Sequence, residues 1–139
     1  MPMAYWLLKS DPESYSWDHL VRDQETDWNG VRNFQARNNL RLMKAGDRAF
    51  IYHSQEDKEI VGVAEIMSGA YPDPTAESGD WVSVKVRAMK ECVRHIGLEE
   101  IRNTPVLNVM PLVTHTRLSV HPVTEAQWND ILRYTKTVL

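Results

Sequence analysis

Between Arg48 and Met89 the chain carries three strand patterns in succession with no helical pattern between them, and this limits its possible folds most. Arg48 to Ser54 (RAFIYHS) is rich in apolar residues, Gln55 to Glu59 is a polar turn, and Ile60 to Ile66 (IVGVAEI) reads as the second arm of a hairpin. After a proline-rich loop, Tyr71 to Thr75, the segment Trp81 to Met89 alternates. Val82, Val84, Val86 and Ala88 fall on one face, and Ser83, Lys85 and Arg87 on the other. A parallel doubly wound fold requires a helix after each strand, which this order does not supply. The expectation is therefore α+β with a mostly antiparallel, curved sheet, as a small closed or half-closed barrel with helices at its rim.

The flanks supply the helices. Tyr5-Trp6-Leu7-Leu8 is a short apolar strand ended by Lys9-Ser10-Asp11-Pro12, where proline biases Asp11 away from helix. Ser16 can cap a helix from Trp17 to Arg22, with Trp17, Leu20 and Val21 on one face. Asn33 can cap a second helix, anchored by Leu40 and Met43 and closed at Gly46-Asp47. Leu98 to Arg102 reads as a short helix and Thr116 to Val120 as a further strand. Thr124-Glu125-Ala126-Gln127 is a capping box opening a last helix with Trp128, Ile131, Leu132 and Thr135 inward. The 139 residues suit one domain, 1–139.

Several chemistries have no support. The glycines match no phosphate-binding motif, no GxSxG occurs, and the five histidines fall on different elements, so no cofactor, metal or catalytic residue is expected. No apolar run nears the ~20 residues that span a bilayer, and the opening residues lack a signal-peptide pattern. One cysteine, Cys92, fits a reducing compartment. The expectation is a cytoplasmic protein (nuclear in a eukaryotic source), monomeric, with no membrane partner.

Trp28 to Arg41, WNGVRNFQARNNLR, concentrates four asparagines, three arginines and a glutamine with no acid. Such side chains offer planar hydrogen-bonding groups for base edges and phosphates, and tryptophan offers a face for stacking. From Asn29 to Arg48 five cations stand against Asp47 alone, a local +4 in a chain of net charge −3, so the remainder carries −7. That asymmetry fits a localised anion-binding face or a solvated basic helix. Trp28, unlike Trp17, Trp81 and Trp128, has no periodic apolar partner, and reads as a stacking platform or a core plug. Lys9-Ser10 at a strand end, Tyr52-His53-Ser54 at another, and the stiff Tyr71 loop complete the candidate walls. The acids Asp23, Glu25 and Asp27, and Glu56, Asp57 and Glu59, read as loop residues.

The strings YWLLKSDPESYS, WNGVRNFQARNNLR, YHS…IVGVAE, YPDPTA and RLSVHPVT together resemble the EVE domain family, relatives of the PUA-like barrels, from Tyr5 to about Leu132. That family is similar to the YTH domains, which read N6-methyladenine in RNA. The resemblance implies that Lys9, Ser10 and Trp28 line a base pocket, with Trp28 as one wall of an aromatic cage. Asn29-Gly30 stands where the YTH pattern has Ser-Thr, and EVE domains are more generally associated with modified cytosine or other modified bases.

The expected function is a non-catalytic binder of a modified or flipped base in DNA or RNA. Its candidate base-binding residues are Lys9, Ser10, Trp28, Gly30, Val31, Asn33, Tyr52, His53, Ser54 and Tyr71, and its candidate phosphate-binding residues Arg32 and Arg37. Two alternatives stay open at this level. One is a nuclease or amidohydrolase like the ASCH relatives, using His53, Lys9 and Tyr52. The other is a module binding a small anion or nucleotide.

Overall fold

The first strand, β1 (Tyr5–Ser10), buries Trp6, Leu7 and Leu8 in succession, which requires cover on both faces of the sheet. The computed structural model describes residues 3–139. After β1 come α1 (Trp17–Asp23), β2 (Glu25–Trp28), α2 (Phe34–Leu42), β3 (Arg48–His53), β4 (Glu59–Ile66), β5 (Tyr71–Pro72) and β6 (Val82–Gly97). Then follow α3 (Leu98–Arg102), α4 (Pro111–Thr114), β7 (Val120–Val123) and α5 (Glu125–Tyr134). The sheet runs β2-β6-β4-β3-β1-β7, with β5 on β6, and among the described residues only β1 and β3 pair in parallel. No pairing joins β2 to β7 among the described residues, so the barrel is open. The α+β, mostly antiparallel expectation with short flanking helices is met.

Alternate residues of the central strands feed two cores. Trp6, Leu8, Ala49 and Ile51 meet Trp17 and Leu20 of α1 and Ala36 and Leu40 of α2. Leu7, Phe50, Tyr52 and Val63 meet Ile101, Leu112, Trp128 and Ile131 from α3, α4 and α5. Caps expected from sequence are in place: Ser16, Asn33 and Thr124 accept from the backbone N–H of His19, Ala36 and Gln127.

Several expectations are corrected. Glu25 to Trp28 form an edge strand rather than a loop, with Lys85 of β6 facing Glu25 and Asp27. Charged outward residues are a usual disguise of an edge. Val21 is largely exposed rather than inward, and Ser83 is fully buried rather than on the polar face. The strand from Trp81 instead begins at Val82 and continues to Gly97, because irregularities against β4 break its alternation. Thr116 to Ser119 precede the last strand rather than form it, Val120 to Val123 being β7. Helix α2 ends at Leu42, before Gly46-Asp47, and α4 was not foreseen.

Candidate functional site

Where β1 and β2 end, the chain leaves a cavity of about 770 Å³ before α2 begins. Lys9 and Ser10 enter it from the end of β1, and Asp11, Ser14 and Tyr15 from the following turn. Thr26, Asp27 and Trp28 come from β2, Asn29 to Asn33 from the segment that leads into α2, and Ser119 from the turn before β7. The size lies within the usual range for ligand pockets. Two further cavities, of about 470 and 450 Å³, adjoin β6 and gather none of the Lys9, Trp28 or Asn33 groups.

Each wall has a local cause. The Ser10 hydroxyl donates to the Tyr15 carbonyl, which folds the Asp11–Tyr15 turn back over the strand end. Lys9 Nζ donates to the Thr116 carbonyl at 3.1 Å, and burial lowers its pKa. The Tyr15 ring stands edge-on to Trp28, 6.2 Å between centroids and 88° between planes. Its hydroxyl donates to Asp23 at 2.8 Å, and its pKa is raised, chiefly by burial. Trp28 is 8% exposed, so the indole is both a core residue and a wall of the cavity. Asn33 spends its Oδ1 on the Ala36 N–H at 2.9 Å. Its Nδ2 has no protein partner among the described residues and stays free to donate.

Asp73 holds the mouth together. Its buried carboxylate accepts from Gly30 N at 2.8 Å, Arg32 Nη1 at 2.9 Å, and the Thr75 N–H and hydroxyl, both at 2.7 Å. Burial alone would raise its pKa. The Thr75 hydroxyl, the Arg32 guanidinium and the two backbone donors outweigh that and hold it well below the usual carboxylate range. Gly30 takes φ +79°, with open space where a Cβ would sit, so backbone conformation rather than crowding calls for glycine. Lys9, Arg32, Asp11 and Asp27 all line the cavity. Mixed charge of this kind suits the polar edge of a neutral ring better than a bare phosphate.

The structure thus brings Lys9, Ser10, Trp28, Gly30, Val31, Arg32 and Asn33 to one cavity and leaves the other candidates outside it. Tyr52 and His53 stand beside Lys9 and Ser10 in the β1–β3 register, but the Tyr52 ring packs in the second core. His53 Nε2 accepts from the Trp17 N–H at 3.0 Å, which fixes the start of α1. Ser54 meets Ser10 through the backbone, its N–H donating to the Ser10 carbonyl at 2.9 Å. Tyr71 lies behind the wall and donates to Asp27, and its phenol pKa is driven upward by burial and by that carboxylate. Arg37 lies over Phe34 and Trp81 and pairs with Asp80 at 2.9 Å. Tyr15 and Asp73 escaped the sequence reading. Tyr15 lies inside the SDPESYS string and Asp73 between two prolines, and neither role has a local signature because the partners Trp28, Gly30 and Arg32 lie elsewhere in the chain.

Residues 4–134 match the family model described as EVE domain. Thymocyte nuclear protein 1 of Mus musculus is 36% identical, over 96% of this chain and 74% of that protein. A solved protein from Agrobacterium tumefaciens is 40% identical with a TM-score of 0.92, over 96% of this chain and 94% of that one. Human THYN1, solved in complex with DNA containing 5-methylcytosine, is 32% identical with a TM-score of 0.88, over 98% and 99%. The YTH domain of Zygosaccharomyces rouxii MRB1, solved with N6-methyladenosine RNA, shares the fold at 18% identity and a TM-score of 0.61, over 99% and 89%. The architecture is that of the PUA-like α+β folds.

Proposed function

The chain belongs to the EVE domain family, and on that premise we propose that it binds nucleic acid carrying a modified base and draws that base into the cavity between β1, β2 and α2. The observation that carries this reading is the convergence of Lys9, Ser10, Trp28, Arg32 and Asn33, from separate stretches of the chain, on one space walled by Tyr15 and Trp28. A base must leave its stack before its edge can be read. Trp28 and Tyr15 supply aromatic contact, and Asn33 Nδ2 and Lys9 supply donors. The similarity to human THYN1, solved with 5-methylcytosine-containing DNA, makes methylated cytosine the first base to try.

The test is fluorescence anisotropy against DNA and RNA oligonucleotides with and without modified bases, comparing wild type with Asn33→Ser. Serine caps a helix about as well as asparagine but lacks the amide nitrogen. The variant is expected to keep its Tm and to lose affinity for the preferred modified oligonucleotide by roughly 2- to 13-fold, the scale of one net hydrogen bond. Equal affinity of wild type for modified and plain oligonucleotides across the panel would overturn the reading. So would an Asn33→Ser protein that binds unchanged.

A further inference from the structure

Phe34 opens α2 beside the cavity-lining Asn33 and is 66% exposed, the most open aromatic ring for which the surroundings offer a stacked partner. A lone exposed phenylalanine needs no explanation. This one does, because so much structure holds it. Its ring stacks on Trp81 with 5.0 Å between centroids and 26° between planes. The Arg37 guanidinium lies 5.0 Å from the Phe34 centroid and 5.5 Å from that of Trp81, and its side chain is only 12% exposed. Arg32, a cavity residue, lies 5.6 Å from the Trp81 centroid. Trp81 in turn packs against Gly79, where a Cβ would come within 3.0 Å of the indole Nε1.

The loop between β5 and β6 fastens this group at both ends. Asp73 holds Gly30 at 2.8 Å and Arg32 at 2.9 Å, and Asp80 holds Arg37 and Arg41, both at 2.9 Å. Cavity mouth and aromatic pair are therefore one continuous surface. The three guanidinia exceed the two carboxylates that hold them by one positive charge, and one phosphate joins two adjacent nucleosides.

We propose that the Phe34–Trp81 pair is a second subsite, a ledge on which the base next to the captured one stacks while Arg37 and Arg41 meet the phosphate between them. This rests on the base-capture reading above. Stacking on an aromatic ring tolerates any base, so the ledge adds affinity and leaves the choice of modified base to the cavity.

The test uses a short single-stranded DNA with one 5-methylcytosine, the same strand with an abasic site placed on either side in turn, the same strand unmethylated, and the free 5-methyl nucleoside. Phe34→Ala is expected to weaken binding of the intact strand by roughly 5- to 150-fold. Phe34→Trp restores it, and the free nucleoside binds both proteins alike. An abasic neighbour on one side should bring wild type to the variant's affinity. The ledge is overturned if Phe34→Ala binds the intact strand like wild type, or loses as much on both abasic strands as on the intact one. The cavity reading fails separately, when wild type does not prefer the methylated strand. In that event the ledge still stands if Phe34→Ala weakens the intact strand and spares one abasic strand, and falls if it does not.

Discussion

His121 shows how a single residue can govern acid stability. It has no exposed surface, its Nδ1 lies 2.8 Å from the Pro122 carbonyl, and its Nε2 has no partner among the described residues. Burial is the main cause of a pKa lowered to about 4, and the nearby Lys9 and His115 push the same way. The unfolded chain, with a histidine near 6.5, takes up the proton first. Stability is therefore whole above pH 6.5, declines as pH falls from there to about 4, and changes no further through this group below that. The total is on the order of 3 kcal/mol. His95 has the opposite sign: burial lowers its pKa, but Glu59 and Glu91 outweigh that and raise it, so its contribution is complete below the unfolded pKa and fades as pH climbs through the folded one. Denaturant melts from pH 8 to pH 4 should show the decline in wild type and flatten it in His121→Leu. A wild-type stability constant from pH 6.5 to 4.5 would refute the assignment. Neither the burial nor the orphaned nitrogen was legible in RLSVHPVT, because which histidine a sheet covers on both sides depends on pairing.

Helix α1 and strand β4 meet at Gly62. A Cβ there would lie 2.6 Å from three atoms of the Trp17 indole, so the GVAE segment carries glycine because a tryptophan rests on its backbone. Gly62→Ala must displace the ring or the helix, and overpacking of this kind costs about 1–3 kcal/mol. The expected result is a Tm lowered by several degrees. Much of that penalty should vanish when Trp17→Leu is already present, measured as a double-mutant cycle, whereas additive losses would mean the two do not clash. At this scale the sequence was a good guide where signals are local. The caps at Ser16, Asn33 and Thr124 and the β3–β4 hairpin depend on neighbours in the chain. It failed where pairing decides: β2 hid behind its acids, β6 ran past its bulges, and Tyr52 and His53 turned to the core and to Trp17 rather than to the cavity. Trp28 drew attention for lacking a local partner, and its partners proved to be distant ones, the Tyr15 turn and the first core.

Across the whole molecule the charges set what kind of binder the protein can be. A net charge of −3 leaves little general attraction for a polyanion, and the arginines nearest the cavity are held by Asp73 and Asp80. Capture of a base must then provide most of the affinity, with few phosphates engaged. Each neutralised phosphate contributes roughly −0.7 to −0.9 to the slope of log K against log salt, so a slope between about −1 and −2 is expected for an oligonucleotide. Asp80 is the residue that sets this balance, because it occupies both Arg37 and Arg41 and is itself 75% exposed. Asp80→Asn should steepen the slope by about 1 and tighten binding at low salt by roughly fivefold. The ratio of modified to plain affinity should stay the same, since the cavity is untouched. Titrations over a potassium chloride series would read all three quantities. An unchanged slope would mean the arginines near the ledge do not reach phosphate at all, whereas a changed ratio would mean that charge outside the cavity takes part in choosing the base.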